Sequence, residues 1–196
     1  SSTDVEQVTL GRNEKRFHDI LRLCAIFIKS LNPGTGAGNS RVFSLLFDMN
    51  QLFEAWVAAI LKPLALQLGW KLKEQGPKRY MAYRADIDKS VFQMKPDICF
   101  VDRSGNPVLI VDTKWKLLAT EDAKLGVSQA DLYQMQAYGN RYGVPYLCLV
   151  YPQQDGCKGE YQLTLHGEHV RNLLINSVKI DQKADGEFVG RLNAFV

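Results

Sequence analysis

Apolar side chains recur along this chain with two periods, and the changes of period mark its elements. Between residues 13 and 31, Phe17, Ile20, Leu21, Cys24, Phe27, Ile28 and Leu31 fall three or four apart. That spacing predicts a helix ending before Asn32, Pro33 and Gly34. A second helix is predicted over residues 44–68, with Met49, Leu52, Phe53, Trp56, Val57, Ile60 and Leu64 as its apolar stripe and Gly69 as its stop. Pro63 is expected to kink that helix or break it in two. Glu54 lies about 110° from the centre of the stripe at 100° per residue, on the margin of the buried face.

From residue 70 the period shortens to two. Alternating or continuous apolar runs predict strands over residues 70–74, 80–84, 91–94, 98–101, 108–111, 144–151, 161–165 and 173–180. Residues 117–126 form a polar connector. Ser128 followed three positions later by Asp131 is an N-cap signature, so a further helix is expected from there to about Tyr142, with Gly143 as its stop. Strands interleaved with helices predict an α/β fold, a mixed β-sheet core flanked by helices.

The fourth and fifth of these strands carry the chemistry. Arg103, Ser104, Gly105, Asn106 and Pro107 supply turn residues between them, so they form a hairpin. A pairing centred on Ser104 and Gly105 puts Asp97 opposite Asp112, and Lys114 shares the strand face of Asp112. Like charges facing each other across a sheet repel. At about 4 Å and an effective dielectric of about 20 the repulsion is roughly 4 kcal/mol. A hard divalent cation removes that penalty, and Mg²⁺ is commonly held by one or two carboxylates with waters and phosphate oxygens. The arrangement points to metal-dependent phosphodiester hydrolysis; the bland alternative is a hairpin with two exposed acids.

Pro96 and Asp97, fourteen residues, then Asp112, Thr113 and Lys114 match the pattern of the PD-(D/E)xK nuclease superfamily. Gln134 and Tyr138 resemble the Q-x-x-x-Y element of RecB-like nucleases. Residues 46–54, L-F-D-M-N-Q-L-F-E, resemble the D-M-N-x-L-F-E signature of the McrC family, and Asp131 to Met135 resemble that family's version of the glutamine-bearing helix. The likeness runs from about Phe43 to Pro152 and continues weakly beyond.

The resemblance implies a restriction-endonuclease-like fold, with residues 1–11 a flexible segment and residues 12–196 the endonuclease domain. It implies Mg²⁺, replaceable by Mn²⁺, as cofactor. Asp97, Asp112, the main-chain carbonyl of Thr113 and Glu54 are its implied metal ligands. Lys114, Gln134 and Tyr138 join Asp97, Asp112 and Glu54 as implied catalytic residues. Implied partners are DNA, containing modified cytosine that the partner reads, and an AAA+ GTPase motor subunit of McrB type. A RecB-like or resolvase-type nuclease of another pathway, or a catalytically silent DNA-docking or motor-activating module, are the competing readings. Lys116 follows on the face of Lys114, as a phosphate contact or as a surface lysine. Trp115 is expected on the opposite, covered face of the sheet.

Composition adds little. Lys and Arg number 24 against 21 acids, a net charge of +3, compatible with DNA binding without arguing for it. None of the four cysteines forms a C-x-x-C pair; Cys24, Cys99 and Cys148 sit in apolar runs, as buried free thiols of a reducing cytoplasm do. His166 and His169 lack the partners of a zinc site. The glycine-rich segment 34–40 has no lysine before Ser40 and no apolar strand leading into it, so it is a connector, not a phosphate loop. The apolar stretches are too short or too charged to span a bilayer. The chain begins Ser1, Ser2, as expected of a domain excised from a longer protein whose N-terminal region contacts the motor.

Overall fold

The computed structural model describes residues 48–167, 169–180 and 186–196. The helix expected over residues 13–31, the connector 34–40, the flexible first eleven residues and the start of the second helix lie outside them. The described residues belong to one unit, Asp48–Val196.

Helix α1, Met49–Gln67, opens on Asp48, whose Oδ1 accepts from the main-chain N–H of Asn50 at 3.0 Å and of Gln51 at 3.4 Å. The cap fills donors that the first turn leaves orphaned. Part of the D-M-N signature is therefore helix-capping chemistry. Pro63 does not break the helix, which runs on to Gln67 as one element. The buried face comprises Phe53, Val57, Ala58, Leu61, Leu64 and Ala65. Met49 and Leu52, expected in the stripe, are 37% and 52% exposed. The real face is thus rotated toward Ala58 and Ala65, because small residues let the helix lie close to the sheet. Glu54, three and four positions before Val57 and Ala58, falls inside that face and not on its margin.

Eight strands follow. A six-stranded mixed sheet contains β1 (Lys71–Glu74), β4 (Ile98–Val101), β5 (Pro107–Thr113), β6 (Tyr146–Pro152), β7 (Glu160–Leu165) and β8 (Arg171–Val178). Its order is β1-β4-β5-β6-β8-β7. The outer pairs β1–β4, β4–β5 and β7–β8 are antiparallel; β5–β6 and β6–β8 are parallel. Parallel neighbours need a crossover, and α2 (Gln129–Tyr142) provides it between β5 and β6. Two strands, β2 (Arg79–Arg84) and β3 (Lys89–Met94), stand apart as a separate two-stranded sheet.

The core has two layers, one on each sheet face. On one, α1 packs over Ile98, Phe100, Leu109 and Val111 together with a C-terminal helix α3, Gly186–Phe195. On the other, Met135, Tyr138 and Tyr142 of α2 cover Cys99, Val101, Ile110 and Leu149. Helix α3 was not foreseen: it is a short amphipathic stretch in which only Phe188 and Leu192 are buried. Cys99 and Cys148 are buried free thiols, as expected. Among the described residues no helix is long and apolar enough to cross a membrane.

Candidate active site

The β4–β5 hairpin has the expected register. Ile98 pairs with Val111, Cys99 with Ile110 and Phe100 with Leu109, and a bulge after Phe100 absorbs the turn. Continued by one residue, that register sets Asp97 opposite Asp112. Both carboxylates continue the strand phase of Cys99 and Ile110, on the face that α2 covers.

Each acid is held differently. Asp97 Oδ2 accepts from the Thr113 N–H at 2.7 Å and from its hydroxyl at 2.8 Å. Asp112 is 1% exposed. Its Oδ2 lies 2.6 Å from Lys114 Nζ. Apart from that ion pair no donor reaches this buried oxygen among the described residues. Burial, and then the facing charge of Asp97, push the Asp112 carboxyl up to about 7, with Lys114 offsetting part of the effect.

Lys114 is the hub of the site. Besides Asp112 it donates to Gln134 Oε1 at 3.0 Å and lies 3.5 Å from Asp131 Oδ1. Burial disfavours its charge, but Asp112, Asp131 and Asp97 outweigh burial and raise its pKa. Gln134 passes the contact on: its Nε2 donates to the Tyr138 hydroxyl at 3.0 Å, which donates to the Lys95 carbonyl at 3.3 Å. Spacing of i and i+4 on α2 puts Gln134 and Tyr138 on one face, and Lys95 is two residues from Asp97.

Glu54 approaches from the end of α1. Its Oε1 accepts from Gln75 Nε2 at 2.8 Å, and Gln75 Oε1 accepts from Lys95 Nζ at 2.6 Å. Burial raises the Glu54 pKa, and the Asp97 charge adds to the rise. Glu54 therefore shares the electrostatic field of the site while its side chain is tied to Gln75. Among the described residues no three His, Cys, Asp or Glu side chains gather into a ready cage for a metal. The donor set that does fit a hard cation is smaller: the facing Asp97 and Asp112, with an under-satisfied buried oxygen between Asp112 and Lys114.

Trp115 turns, as expected, to the face that α1 covers, where its ring meets Phe53 at 5.3 Å between centroids; lying past the end of β5, it keeps 37% exposure. Lys116, weighed as a phosphate contact or a surface lysine, is partly exposed and bound to Asp131 Oδ2 at 2.7 Å.

The chain carries, over residues 1–152, the sequence profile of the McrBC 5-methylcytosine restriction system component family. The chain belongs to that family. The likeness to McrC read from the motifs is thereby borne out. No curated protein matches. Among solved structures, a chain from the half-complex of the tetradecameric Thermococcus gammatolerans assembly of McrB AAA+ hexamers with bound McrC is similar in fold, with a TM-score of 0.63 at 20% identity. All of the present chain is covered, but only 42% of that one.

Within this McrBC family member, Asp131 is the site residue that sequence reasoning undervalued. It reads as a helix cap, and it is one: Ser128 Oγ accepts from the Asp131 N–H at 3.1 Å while Asp131 Oδ2 accepts from the Ser128 N–H at 3.2 Å. The same carboxylate also holds Lys114 and Lys116. Burial opposes its ionisation, yet the bonds from Lys116 and Ser128 and the Lys114 charge hold it down at about 2. The usable signal was its position three residues before Gln134. Gln75 had no sequence signal at all; its φ of 53° sets it at a turn after β1.

Proposed function

We propose that this chain is the Mg²⁺-dependent DNA endonuclease part of a McrBC-like, modification-dependent restriction system, with Mn²⁺ able to substitute. The observation that carries the reading is the convergence of Asp97, Asp112, Lys114 and Gln134 on one sheet face, with the Asp112 carboxyl left strained by burial and by its neighbour. Two facing carboxylates that cost folding energy without a cation are what a hard divalent ion stabilises. Asp97 and Asp112 would hold the metal, with the Thr113 main-chain carbonyl as a further ligand and Glu54 as a ligand through water or as a base.

A divalent cation held there would supply positive charge to the phosphate and lower the pKa of a bound water. Lys114 then exchanges its contact with Asp112 for a phosphate oxygen and neutralises the charge that develops as the bond to phosphorus forms. Gln134 keeps the ammonium aimed, and Tyr138 keeps Gln134 aimed by fixing its amide. Thr113 locks the Asp97 carboxylate in one rotamer. Where Glu54 is not itself a ligand, its raised pKa suits it to act as a base at the edge of the site.

The Thermococcus gammatolerans structure has McrB AAA+ hexamers with bound McrC. By that likeness the present chain works with an AAA+ motor, and its motif resemblance to McrC extends the reading to a GTPase that brings the DNA and reads the modified cytosine. The test is nicking of methylated and unmethylated plasmid with Mg²⁺ or Mn²⁺, with and without the motor and GTP. Metal-dependent cutting that Asp112→Ala and Asp97→Ala both abolish supports the reading. Full activity in either variant overturns the metal site; methyl-selective cutting by this chain alone overturns the division of labour.

A further inference from the structure

The β2–β3 hairpin plays no part in the sheet and little in the core. Tyr80, Met81, Tyr83, Ile87 and Phe92 are between 39% and 75% exposed. A domain does not gain stability from five large apolar side chains held in water. Its base, by contrast, is fixed firmly. The Tyr142 hydroxyl lies 2.7 Å from the Pro77 carbonyl, just before β2, and 3.1 Å from the Met94 carbonyl at the end of β3, close enough to donate to either. Arg141 Nε donates to the Tyr80 carbonyl at 2.6 Å, and Arg79 donates to the Arg141 carbonyl at 2.7 Å. These anchors sit on α2, the helix that carries Gln134 and Tyr138. Strand β3 then runs through Lys95 and Pro96 straight into Asp97. The hairpin is thus a rigid arm rooted in the candidate active site.

Its charge and backbone say what it meets. Residues 77–95 contain five basic side chains (Lys78, Arg79, Arg84, Lys89 and Lys95) and two acidic ones (Asp86 and Asp88), which is as large an excess as the +3 of the whole chain. Phe92 has φ 58°, a region that a bulky side chain adopts only under constraint. The strand ladder pairs Tyr80 with Gln93 and Ala82 with Val91, and skips Met81 and Phe92. The distortion turns the most exposed aromatic of the arm, 75% accessible, out of the regular ladder. Strain kept at an exposed aromatic points to function and not to folding. A cleft of about 420 Å³ lies between Met81, the residue skipped opposite Phe92, and Tyr133 and Arg141 on α2.

We infer that the β2–β3 hairpin is a DNA arm: Lys78 and Lys89, two of its exposed cations, grip the phosphates flanking the scissile bond, and Phe92 wedges into a base step of the duplex. This rests on the nuclease reading and adds where the substrate is held. Basic ribbons that enter a groove and apolar wedges that part a base step are established ways of holding DNA. The arm joins the site through Lys95, Pro96 and Asp97, so the wedge opens the stack next to the phosphate that must be presented to Lys114.

The test uses the whole chain in EDTA, so that binding is read without cleavage, on a short duplex with 2-aminopurine at successive steps. The parent is expected to raise the fluorescence at one step. Phe92→Gly should lose that rise while its melting temperature holds or increases, since glycine relieves the left-handed backbone. A Phe92 that only packs would show the reverse, a lower melting temperature and an unchanged signal. Lys78→Gln with Lys89→Gln should weaken binding on every sequence and lower the salt slope by about 2, one for each lost phosphate contact. Parent-like affinity, slope and fluorescence in all these variants overturn the inference, as does a defect confined to assembly with the motor. Adding Mg²⁺ together with the motor and GTP separates the two readings: DNA gripped through the hairpin but never cut sinks the nuclease, while DNA cut equally well by the variants sinks the arm.

Discussion

Replacing Asp112 by asparagine removes the charge that this fold tolerates least. In the parent, burial and the facing Asp97 raise the carboxyl from 3.8 to about 7. The native state therefore holds a proton that the unfolded chain has already lost, and stability falls as pH rises from about 4 to about 7. Above that window the charged form costs about 4 kcal/mol, at 1.36 kcal/mol for each unit of the shift. Between about pH 5 and about pH 8 the part still to be lost is roughly 3 kcal/mol. Asparagine does not titrate. Asp112→Asn also strips Lys114 of one partner, but Lys114, with its pKa raised, is charged at both pH values, so that loss is the same at each. The pH-dependent part isolates the carboxylate. Urea unfolding in EDTA at the two pH values measures it. The variant is expected to gain about 3 kcal/mol on the parent between them, and to cut no DNA. Mg²⁺ at the higher pH should stabilise the parent by mass action and leave the variant unchanged. A stability difference between variant and parent that does not move with pH would refute the argument that Asp112 is a strained, metal-ready carboxylate.

Gln134→Ala should slow cleavage by about 10- to 100-fold, the worth of one hydrogen bond to a charged group, with a melting temperature near the parent's. Single-turnover cleavage beside a melting curve separates this from a packing role, for which the melting temperature falls and the rate per folded molecule holds. Asp131→Asn removes a depressed carboxyl: the stability it contributes is full above about pH 4 and is lost as pH falls toward about 2, so the variant's acid-unfolding limb should flatten. Gly139→Ala should destabilise by roughly 1–3 kcal/mol despite its helix propensity, because the new Cβ meets Arg171 Cδ at 2.8 Å and Leu147 Cδ1 at 3.2 Å. Denaturant midpoints read that change. A neutral or stabilising result would show that Arg171 gives way, although its guanidinium is bound to Asn140 and the Val144 carbonyl.

What the sequence determined by itself is local and periodic. Side chains alternate along a strand with period two, so the apolar runs placed β4 and β5, the turn residues between them set the register, and the register set Asp97 against Asp112. Helix α2 was legible because its cap, its stop glycine and its i, i+4 face are all written within fifteen or so residues of one another. The pairing of Lys114 with Gln134 was not legible, although both residues were. It depends on how α2 is laid over the sheet after the β5–β6 crossover, which no local pattern encodes. The same holds for Asp131, whose capping role is a short-range fact and whose grip on Lys114 and Lys116 is a long-range one. Glu54 was misplaced on its helix because two exposed apolar residues, Met49 and Leu52, pulled the apparent stripe away from the small residues that face the sheet. Hydrophobicity alone does not say which apolar side chains are covered. That is decided by which neighbours arrive, and only the packed tertiary structure supplies them.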